Sequence, residues 1–400
     1  MRTNLYLFTT NFPTGLSGEL WLQNEINITH KNYERILIFP DHDRYDSVLL
    51  PSNCFPQQNV QANSEKEPLT FFDLLNISNI VLSDFILLLK QGAFFSNLRY
   101  NISLIKKLYK KAKYISKQIE EPEKSVLYSY WADNGATLAC MIKTFKPAIK
   151  AISRAHGYEI YEDLKKDKII PFRNYQNKII DHIYSVSKKG AEHLKRKHPY
   201  FANKYSFSYL GTNDHGLAFF DPNDIFSIAT CCNLNSIKRI ELVSEILQNV
   251  DEKMKWHLIG DGPEMNKIKK ANSILPMNIE VIYHGSMSQD KLFEFYRTTH
   301  LNVLLSVSYS EGLPVTMMEA ISFGIPLIST SVGGCNEICN SQTGVLIVRD
   351  FDPKEVAKIL EEFKRSTMNT LQFRSGCRNY WLSNFNANKN YSSFMQTILN

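Results

Sequence analysis

Short apolar runs rich in β-branched residues alternate along the chain with longer segments whose apolar residues recur every three or four positions. The runs have the length of strands, and the longer segments have the period of amphipathic helices. This alternation is typical of α/β proteins, in which helices cover both faces of a mostly parallel sheet. The predicted strands include residues 36–39, 126–130, 183–186, 256–259, 279–283 and 301–305.

Turn-forming residues cluster between residues 211 and 224, in Gly211-Thr-Asn-Asp-His-Gly216 and Asp221-Pro-Asn-Asp224. A chain of 400 residues, of which 44% are hydrophobic, is long enough for two cores, and this cluster is the predicted hinge between them. The fold class predicted is therefore two Rossmann-like, doubly wound parallel-sheet domains, at residues 1–211 and 225–377. Such sheets bind ligands beyond the carboxyl ends of their strands, so we expect the domains to face a central cleft.

The N-terminus lacks the apolar core and the cleavage site of a signal peptide. The apolar segment at 77–89 is interrupted by polar residues and is shorter than the roughly 20 residues that a membrane-spanning helix needs. The seven cysteines are an odd number without the paired spacing of metal ligands, which is typical of reduced thiols. We expect a cytoplasmic protein without a transmembrane helix.

The densest chemical pattern lies at residues 308–330, where a predicted strand is followed by a Glu-Gly-Leu-Pro turn and a helix. Glu311 opens the turn, which continues through Gly312, Leu313 and Pro314, and Glu319 follows about two helical turns later on much the same face. The free N–H groups at the start of such a helix suit a phosphate. Taken alone, each carboxylate also fits a structural role, Glu311 as a helix cap and Glu319 as a solvated residue.

This stretch closely resembles the Glu-(seven residues)-Glu signature of retaining glycosyltransferase family 4, and the resemblance continues through 331–338 and 344–345. It implies the GT-B fold, a nucleotide-sugar donor in the second domain, an acceptor-side first domain, and no metal or other cofactor. By this resemblance Glu311 would bond hydroxyls of the donor sugar, and Glu319 would hold the ribose hydroxyls. Residues 378–400 would form a helix that packs back on the first domain.

A second block, residues 227–243, resembles the loop where many family members place an Arg and, five residues later, a Lys that clamp the donor diphosphate. Lys238 occupies the Lys position, whereas Asn233 stands where the Arg would be. Arg239 is the alternative source of the missing charge. Such cations stabilise the nucleoside diphosphate as it departs. A solvated surface lysine is the competing interpretation of Lys238.

In the first domain, His156 follows an apolar strand and precedes a glycine. The pair resembles the family's His-Gly pair, whose histidine lies near the reacting face of the donor sugar. Arg154 and Glu159 are predicted to orient this histidine or to contact the acceptor. A lone histidine is more often structural, but the carboxyl end of a strand favours ligand contact.

The first loop, residues 12–26, resembles the family's loop over the diphosphate and acceptor. Its Gly15 and Gly18 would let the backbone approach phosphates closely. Glu19 in this loop and Asp133 at a strand-to-helix corner are further acceptor-side candidates. Glu25 is interpreted as an ordinary helix carboxylate.

The net charge of +6 is unevenly distributed, since residues 1–210 alone carry about +9. A predicted helix at 99–117 combines an apolar stripe with six lysines, Lys106, Lys107, Lys110, Lys111, Lys113 and Lys117. A solvated face and contact with an anionic membrane are equally compatible with this pattern. No nucleic-acid-binding motif accompanies it, so nucleic acid is not an expected partner.

Two further patterns suggest other ligands but are interpreted otherwise. Gly260-Asp-Gly262-Pro lacks the third glycine of a dinucleotide fingerprint and is predicted to be a tight turn. Asp41-His-Asp43 resembles a metal-binding triplet, but it ends a strand of a doubly wound domain and the other motifs belong to a metal-independent family. No metal site is predicted.

Together with these motifs, the resemblance to the family implies a retaining glycosyltransferase that moves a sugar from a nucleotide-sugar donor to a saccharide acceptor. By the family resemblance, the acceptor is expected to be lipid-linked and the setting bacterial surface-polysaccharide assembly, in the cytoplasm or at the inner face of the plasma membrane. Two alternatives stay open. One is a nucleotide-sugar epimerase of the same fold, and the other is a non-catalytic subunit, for which the absent Arg at Asn233 argues.

Overall fold

The computed structural model describes the backbone of residues 3–14, 19, 21–41, 48–90, 94–162, 165 and 169–399, and their side chains except at 83–98. The chain divides into two compact units. The first unit comprises residues 1–208 and 391–400, and the second comprises residues 209–390. Each unit is built on one wholly parallel sheet covered by helices, which confirms the predicted fold class.

The first unit contains a seven-stranded parallel sheet in the order β3-β2-β1-β4-β5-β6-β7. Leu5 in β1 pairs with Ile36 of β2 on one side and with Val126 of β4 on the other, so later strands are added on both sides of β1. The strands are β1 (Thr3–Thr9), β2 (Tyr33–Pro40), β3 (Cys54–Pro56), β4 (Ser125–Ser129), β5 (Lys150–Ala155), β6 (His182–Ser185) and β7 (Tyr205–Phe207).

In the described part of the first unit, seven α-helices connect the strands of this sheet. Along the fourth, Leu108, Ala112 and Ile115 are buried at intervals of three and four residues, which confirms most of the apolar stripe predicted there. Leu104, the first residue of the predicted stripe, is half-buried, and Ile105 is buried beside it. The helices are α1 (Trp21–Thr29), α2 (Val60–Glu65), α3 (Phe71–Lys90), α4 (Phe94–Ser116), α5 (Asn134–Phe145), α6 (Arg173–Ile179) and α7 (Lys188–Lys197).

The second unit contains a six-stranded parallel sheet in the order β10-β9-β8-β11-β12-β13. Its strands are β8 (Phe226–Cys231), β9 (Met254–Ile259), β10 (Ile279–Gly285), β11 (Val303–Ser306), β12 (Leu327–Thr330) and β13 (Gly344–Ile347). The helices that cover it are α8 (Glu241–Leu247), α9 (Met265–Asn272), α10 (Gln289–Thr298), α11 (Val315–Ser322), α12 (Cys335–Ile338), α13 (Pro353–Arg365) and α14 (Leu371–Asn384).

The last helix, α15 (Ala387–Leu399), begins in the second unit and ends in the first. Its Phe394, Met395 and Ile398 are buried in the core of the first unit, where the ring of Phe394 lies 5.8 Å from that of Tyr128. The chain after residue 371 thus forms two helices. Among the described residues, none of the helices has both the length and the apolarity needed to cross a membrane.

Candidate functional site

Both sheets reverse their strand order at one point, between β1 and β4 in the first unit and between β8 and β11 in the second. At such a switch point the neighbouring crossovers run to opposite faces and leave a crevice beyond the carboxyl ends of the strands. In the second unit, residues 232–238 and 307–313 follow the two central strands. In the first unit, residues 10–14 and 130–133 do so. These segments include the predicted site residues Asn233, Lys238, Glu311 and Asp133.

In the second unit, two candidates that are far apart in sequence form an ion pair. Lys238 ends the 3₁₀ turn Ser236–Lys238, and its Nζ lies 2.5 Å from Oε1 of Glu311. Ser308 donates its hydroxyl to the same oxygen at 2.7 Å. Burial disfavours the charged ammonium, but the Glu311 carboxylate outweighs it, so the pKa of Lys238 is raised. Without ligand, the two candidates neutralise each other.

The loop that carries Glu311 is held by close backbone packing against the loop after β12. Gly334 donates its N–H to the carbonyl of Gly312 at 2.8 Å. Gly333 has a φ of +50°, and a Cβ there would lie 1.7 Å from the carbonyl oxygen of Glu311. Leu313 is buried, and Pro314 occupies the N-cap position immediately before α11, one residue earlier than the predicted first turn. The loop conformation therefore requires glycine at 333.

We expect Gly333→Ala to lower the free energy of unfolding of the second unit by clearly more than Gly216→Ala does. Both variants place alanine in left-handed backbone, at a cost of about 1–2 kcal/mol, and a Cβ at Gly216 would meet nothing within 4 Å. Only Gly333→Ala adds the collision with Glu311. Urea denaturation measures the free energy of unfolding of both variants, and the difference between them gives the cost of that collision. Equal losses would show that the loop can move aside freely.

Glu319 is buried on α11, which rules out the interpretation as a solvated helix residue. Gln289, the first residue of α10, donates its side-chain amide to Oε1 at 3.3 Å. Burial raises the pKa of Glu319 to about 7, so this carboxyl is poised to exchange its proton near neutral pH. A buried carboxylate with one amide partner retains acceptor capacity for ligand hydroxyls.

The two remaining candidates for contact with the diphosphate, Asn233 and Arg239, differ in their surroundings. Asn233 is exposed on a loop whose neighbour Cys232 packs against Gly260, where a Cβ would lie 1.9 Å from the Cys232 carbonyl. Met265 donates its N–H to the carbonyl of Gly262 at 3.1 Å, so the predicted turn begins at the second of the two glycines. Arg239 donates Nε to the carbonyl of Val307 at 2.9 Å and Nη2 to that of Arg349 at 2.7 Å. These bonds tie Arg239 to backbone, which leaves it a structural role.

In the first unit, His156 lies among aromatic rings at the carboxyl end of β5. Its ring centre is 4.7 Å from that of Tyr130 and 4.2 Å from that of Trp131. Nδ1 lies 3.2 Å from Oε1 of Glu159, which also accepts the backbone N–H of His156 at 2.8 Å. Nε2 is buried without a hydrogen-bond partner among the described residues. The imidazole is therefore oriented from one side and presents an unsatisfied nitrogen on the other.

Glu159 orients this histidine, as one of the predicted roles required. Burial opposes its ionisation, but hydrogen bonds from His156 and Gly157 outweigh burial and lower the pKa of Glu159.

Asp133 lies at the N-cap of α5, where it accepts the N–H of Gly135 at 3.1 Å and the hydroxyl of Tyr158 at 2.5 Å. Burial raises the pKa of Asp133 to about 6.

Glu19 does not present its carboxylate to an acceptor. Its oxygens accept the backbone N–H groups of Thr10, Asn11 and Phe12 at 3.0, 2.6 and 2.5 Å, and also the indole N–H of Trp131. A carboxylate with four donors is fully engaged. Glu19 therefore holds the loop after β1 and positions the indole of Trp131, whose ring centre lies 4.2 Å from that of His156.

Arg154 is likewise internal and reaches no surface. Its side chain is 0% exposed, and Nη2 lies 3.2 Å from Oε2 of Glu25, which corrects the interpretation of Glu25 as an ordinary helix carboxylate. The hydroxyl of Tyr128 bridges the pair, accepting from Nε of Arg154 at 2.8 Å and donating to Oε1 of Glu25 at 3.1 Å. The guanidinium carbon lies 3.8 Å from the ring centre of Phe394. This cation joins β5 to α1 and α15.

Two predicted phosphate-loop glycines, Gly15 and Gly18, lie outside the described residues. Two residues that contact the candidate site residues were not predicted from the sequence. One is Trp131, which could have been identified because it follows β4 at the switch point. Gln289 lies 30 residues before Glu319 on another helix, and no sequence pattern connects them.

Comparisons with known proteins identify a family that resembles the second unit. Residues 223–379 match the model of the family described as glycosyl transferases group 1. A curated relative, the UDP-N-acetylglucosamine–peptide N-acetylglucosaminyltransferase GtfA subunit of Streptococcus agalactiae, is 29% identical over 188 residues, which cover 44% of this chain and 36% of that protein. The chain thus spans only about a third of the length of such relatives.

Solved structures resemble the whole chain. The lipopolysaccharide outer core galactosyltransferase WaaB has a TM-score of 0.71 and 16% identity, and the match covers 98% of this chain and 99% of that chain. HepE of Anabaena, solved in complex with UDP and glucose, has a TM-score of 0.69 and 14% identity, with 99% of each chain covered. At these identities the likeness shows the fold, which is that of GT-B glycosyltransferases.

Proposed function

We propose that this chain is a retaining glycosyltransferase that moves a sugar from a nucleotide-sugar donor to a saccharide acceptor. The observation that carries the proposal is the paired Lys238 and Glu311 beside the start of α11, with buried Glu319 on the same helix. This constellation lies within the region that matches group 1 glycosyl transferases. Because HepE was solved with UDP and glucose, a uridine diphosphate sugar is the first donor class to test.

The proposed reaction begins when the donor separates the ion pair. The Lys238 ammonium then meets the diphosphate, and Glu311 accepts hydrogen bonds from hydroxyls of the donor sugar. The bond between the anomeric carbon and the phosphate oxygen breaks, and the acceptor oxygen bonds to the same face of that carbon. The acceptor proton passes to the departing phosphate oxygen. Lys238 stabilises the charge that grows on the diphosphate.

His156 is proposed as the ligand-contacting residue of the first unit. Its buried Nε2 lacks a partner among the described residues, and a buried polar atom without one costs about 1–3 kcal/mol. A sugar hydroxyl would satisfy it. Glu159 and Trp131 position the ring and are assigned no contact with the reacting atoms.

The test is a transfer assay with UDP-, GDP- and ADP-sugars and a panel of saccharide acceptors. We expect one donor to yield a glycoside with the donor's anomeric configuration by NMR, and a rate unchanged by a chelator. Inversion would contradict the retaining mechanism, and restoration of a lost rate by divalent cation would contradict metal independence. An epimerase would change the donor's sugar without an acceptor. A non-catalytic subunit would bind the nucleotide without turnover.

The affinity for UDP should rise about tenfold between pH 6 and pH 8 if Glu319 holds the ribose. With a pKa of about 7, the carboxyl is mostly protonated at pH 6 and mostly ionised at pH 8, and ribose hydroxyls donate to the ionised form. Titration calorimetry across this range measures the effect. Glu319→Gln is the matched control, because its amide neither titrates nor changes size. Identical pH profiles for the two proteins would remove Glu319 from this role.

A lipid-linked acceptor and peripheral contact with an anionic membrane form the finer part of the proposal. Three of the six predicted lysines are paired, Lys111 with Asp41 at 3.3 Å, Lys113 with Asp73 at 2.8 Å and Lys117 with Glu67 at 2.6 Å. These pairs weaken the basic field expected from the sequence. The remaining support is the exposure of Lys106 and Lys107, and of four apolar residues on α3, Phe71, Phe72, Leu74 and Leu75.

Vesicle sedimentation tests this membrane contact. We expect binding to phosphatidylglycerol vesicles that falls with salt and is reduced in Lys106→Gln/Lys107→Gln, because each basic residue near the surface contributes about 1 kcal/mol. Phe71→Ser/Phe72→Ser should reduce binding independently of salt. Lys253→Gln/Lys255→Gln in the second unit is the control. Unchanged sedimentation of both test variants would contradict the proposal.

A further inference from the structure

An open groove of about 880 Å³ runs along α14 in the second unit, between that helix and the segments around residues 341 and 367. It is lined on the helix by Gln372, Phe373, Gly376, Asn379 and Tyr380. Nothing in the proposed donor site uses these residues. The buried residues of α14, Arg374, Cys377 and Trp381, face the interior instead. The groove is therefore a separate surface feature of the second unit.

The lining has an unusual composition for this protein. Charged residues make up 22% of the chain, yet none of the described residues that line the groove is charged. The side-chain amides of Gln342, Gln372 and Asn379 have no hydrogen-bond partner within the described ranges. Each amide offers both donors and an acceptor, which matches a ligand with many hydroxyls.

Two aromatic rings, Phe373 and Tyr380, lie along the same groove and are half-buried. The hydroxyl of Tyr380 donates to the carbonyl of Glu337 at 2.8 Å, which fixes the orientation of its ring. A fixed ring offers a flat apolar surface, and the hydroxyl-bearing edges of a sugar leave its C–H faces free to pack on one. Rings and amides thus provide the two kinds of contact that a neutral saccharide requires.

Gly376 lies in the interior of α14, between the two rings. Glycine there costs the helix about 0.5–1 kcal/mol relative to alanine, and a Cβ at this position would meet nothing within 4 Å. Close packing therefore does not require this glycine. Because residue 376 has no side chain, the floor of the groove stays open between the two rings.

We propose that this groove binds a neutral saccharide chain. Anionic ligands such as phosphates are bound by Arg or Lys, which the described lining lacks. A wholly apolar ligand would desolvate the three amides without replacing their hydrogen bonds. Saccharide hydroxyls replace those bonds. The inference rests on the groove alone and holds whether or not the donor site transfers a sugar.

The test is a saturation-transfer NMR titration of the full chain with maltohexaose, cellohexaose and galactohexaose, and with hexagalacturonate as the charged probe. We expect at least one neutral probe to bind at least tenfold more tightly than hexagalacturonate. Gly376→Phe should weaken that binding at least tenfold by filling the floor, whereas Gly376→Ala should change it less than twofold. Neither variant should change the affinity for UDP.

Circular dichroism melting identifies a folding defect in Gly376→Phe. In that case Gln372→Ala/Asn379→Ala, which removes two exposed amides without adding volume, replaces it and should weaken binding at least fivefold. The proposal is overturned if no neutral probe binds more tightly than hexagalacturonate, or if a folded groove variant binds as the unaltered protein does. Because the assay needs neither a donor nor turnover, failure of transfer activity would leave this result intact.

Discussion

We expect Lys238→Ala to lower kcat for sugar transfer by about a hundred- to a thousand-fold, with a much smaller loss of donor affinity. The reason is that the charge on the diphosphate is greater in the transition state than in the bound donor, so a cation there acts mainly on turnover. Lys238 is the candidate because its Nζ already lies 2.5 Å from Oε1 of Glu311. Steady-state kinetics and donor titration measure the two quantities.

The control for this variant is Lys267→Ala, which removes a lysine of the same unit that pairs with Glu241 at 2.8 Å on the surface. Its kcat should stay within twofold, because an exposed ion pair contributes little. If Lys238→Ala instead lowered turnover and donor affinity by the same factor, Lys238 would bind the ground state as strongly as the transition state and would not be catalytic.

A double-mutant cycle with Glu311→Gln separates the loss of Lys238 from the exposure of its partner. Lys238→Ala leaves the half-buried Glu311 carboxylate with the Ser308 hydroxyl as its one remaining partner among the described side chains. If that residual charge repels the diphosphate, the double variant should recover part of the lost donor affinity but not the lost kcat. Such non-additivity is expected of residues in direct contact.

The second large effect concerns stability. Arg154→Met should lower the free energy of unfolding of the first unit by about 3–5 kcal/mol, because it leaves the carboxylate of Glu25 buried without its cation. The hydroxyl of Tyr128 would still donate to Glu25, but it carries no charge. Urea denaturation, followed by hydrogen exchange of the amides of β4 and β5, measures the loss in this unit separately from the other.

The control for the stability prediction removes both charges at once. Arg154→Met/Glu25→Leu should recover most of the loss, because replacing a whole buried ion pair by apolar residues of similar volume is often neutral. Lys124→Met breaks the exposed pair with Glu121 and should leave the denaturation midpoint unchanged. A double variant as unstable as Arg154→Met alone would locate the effect in packing against Phe394 rather than in charge.

The alternation of strands and helices could be read from the sequence because it rests on local periodicity. Predicted strands such as 256–259 lie within the observed Met254–Ile259, and the stripe on α4 is buried as its spacing required. The segment 51–68 is mostly polar and is predicted to be a loop, whereas in the structure it contains the edge strand β3 and the helix α2. With three and six residues, these two elements are too short for a hydrophobic period to be recognised in the sequence.

The sequence by itself also indicated Glu311, Lys238 and His156, because the motifs that contain them resemble those of a known glycosyltransferase family. What it left undetermined was the partner of each charged side chain. Glu19 and Arg154 were expected near an acceptor, but the fold surrounds one with backbone N–H groups and pairs the other with Glu25, 129 positions earlier.

Only the tertiary structure decided these pairings, because crossovers between parallel strands bring together residues that no local period relates. The same holds for Glu319, whose pKa depends on how deeply α11 is buried, and for the lysines of α4, whose carboxylate partners lie on other segments. Periodicity fixes the face of a helix on which a residue lies. The charge state and reach of that residue depend on what the rest of the chain places against that face.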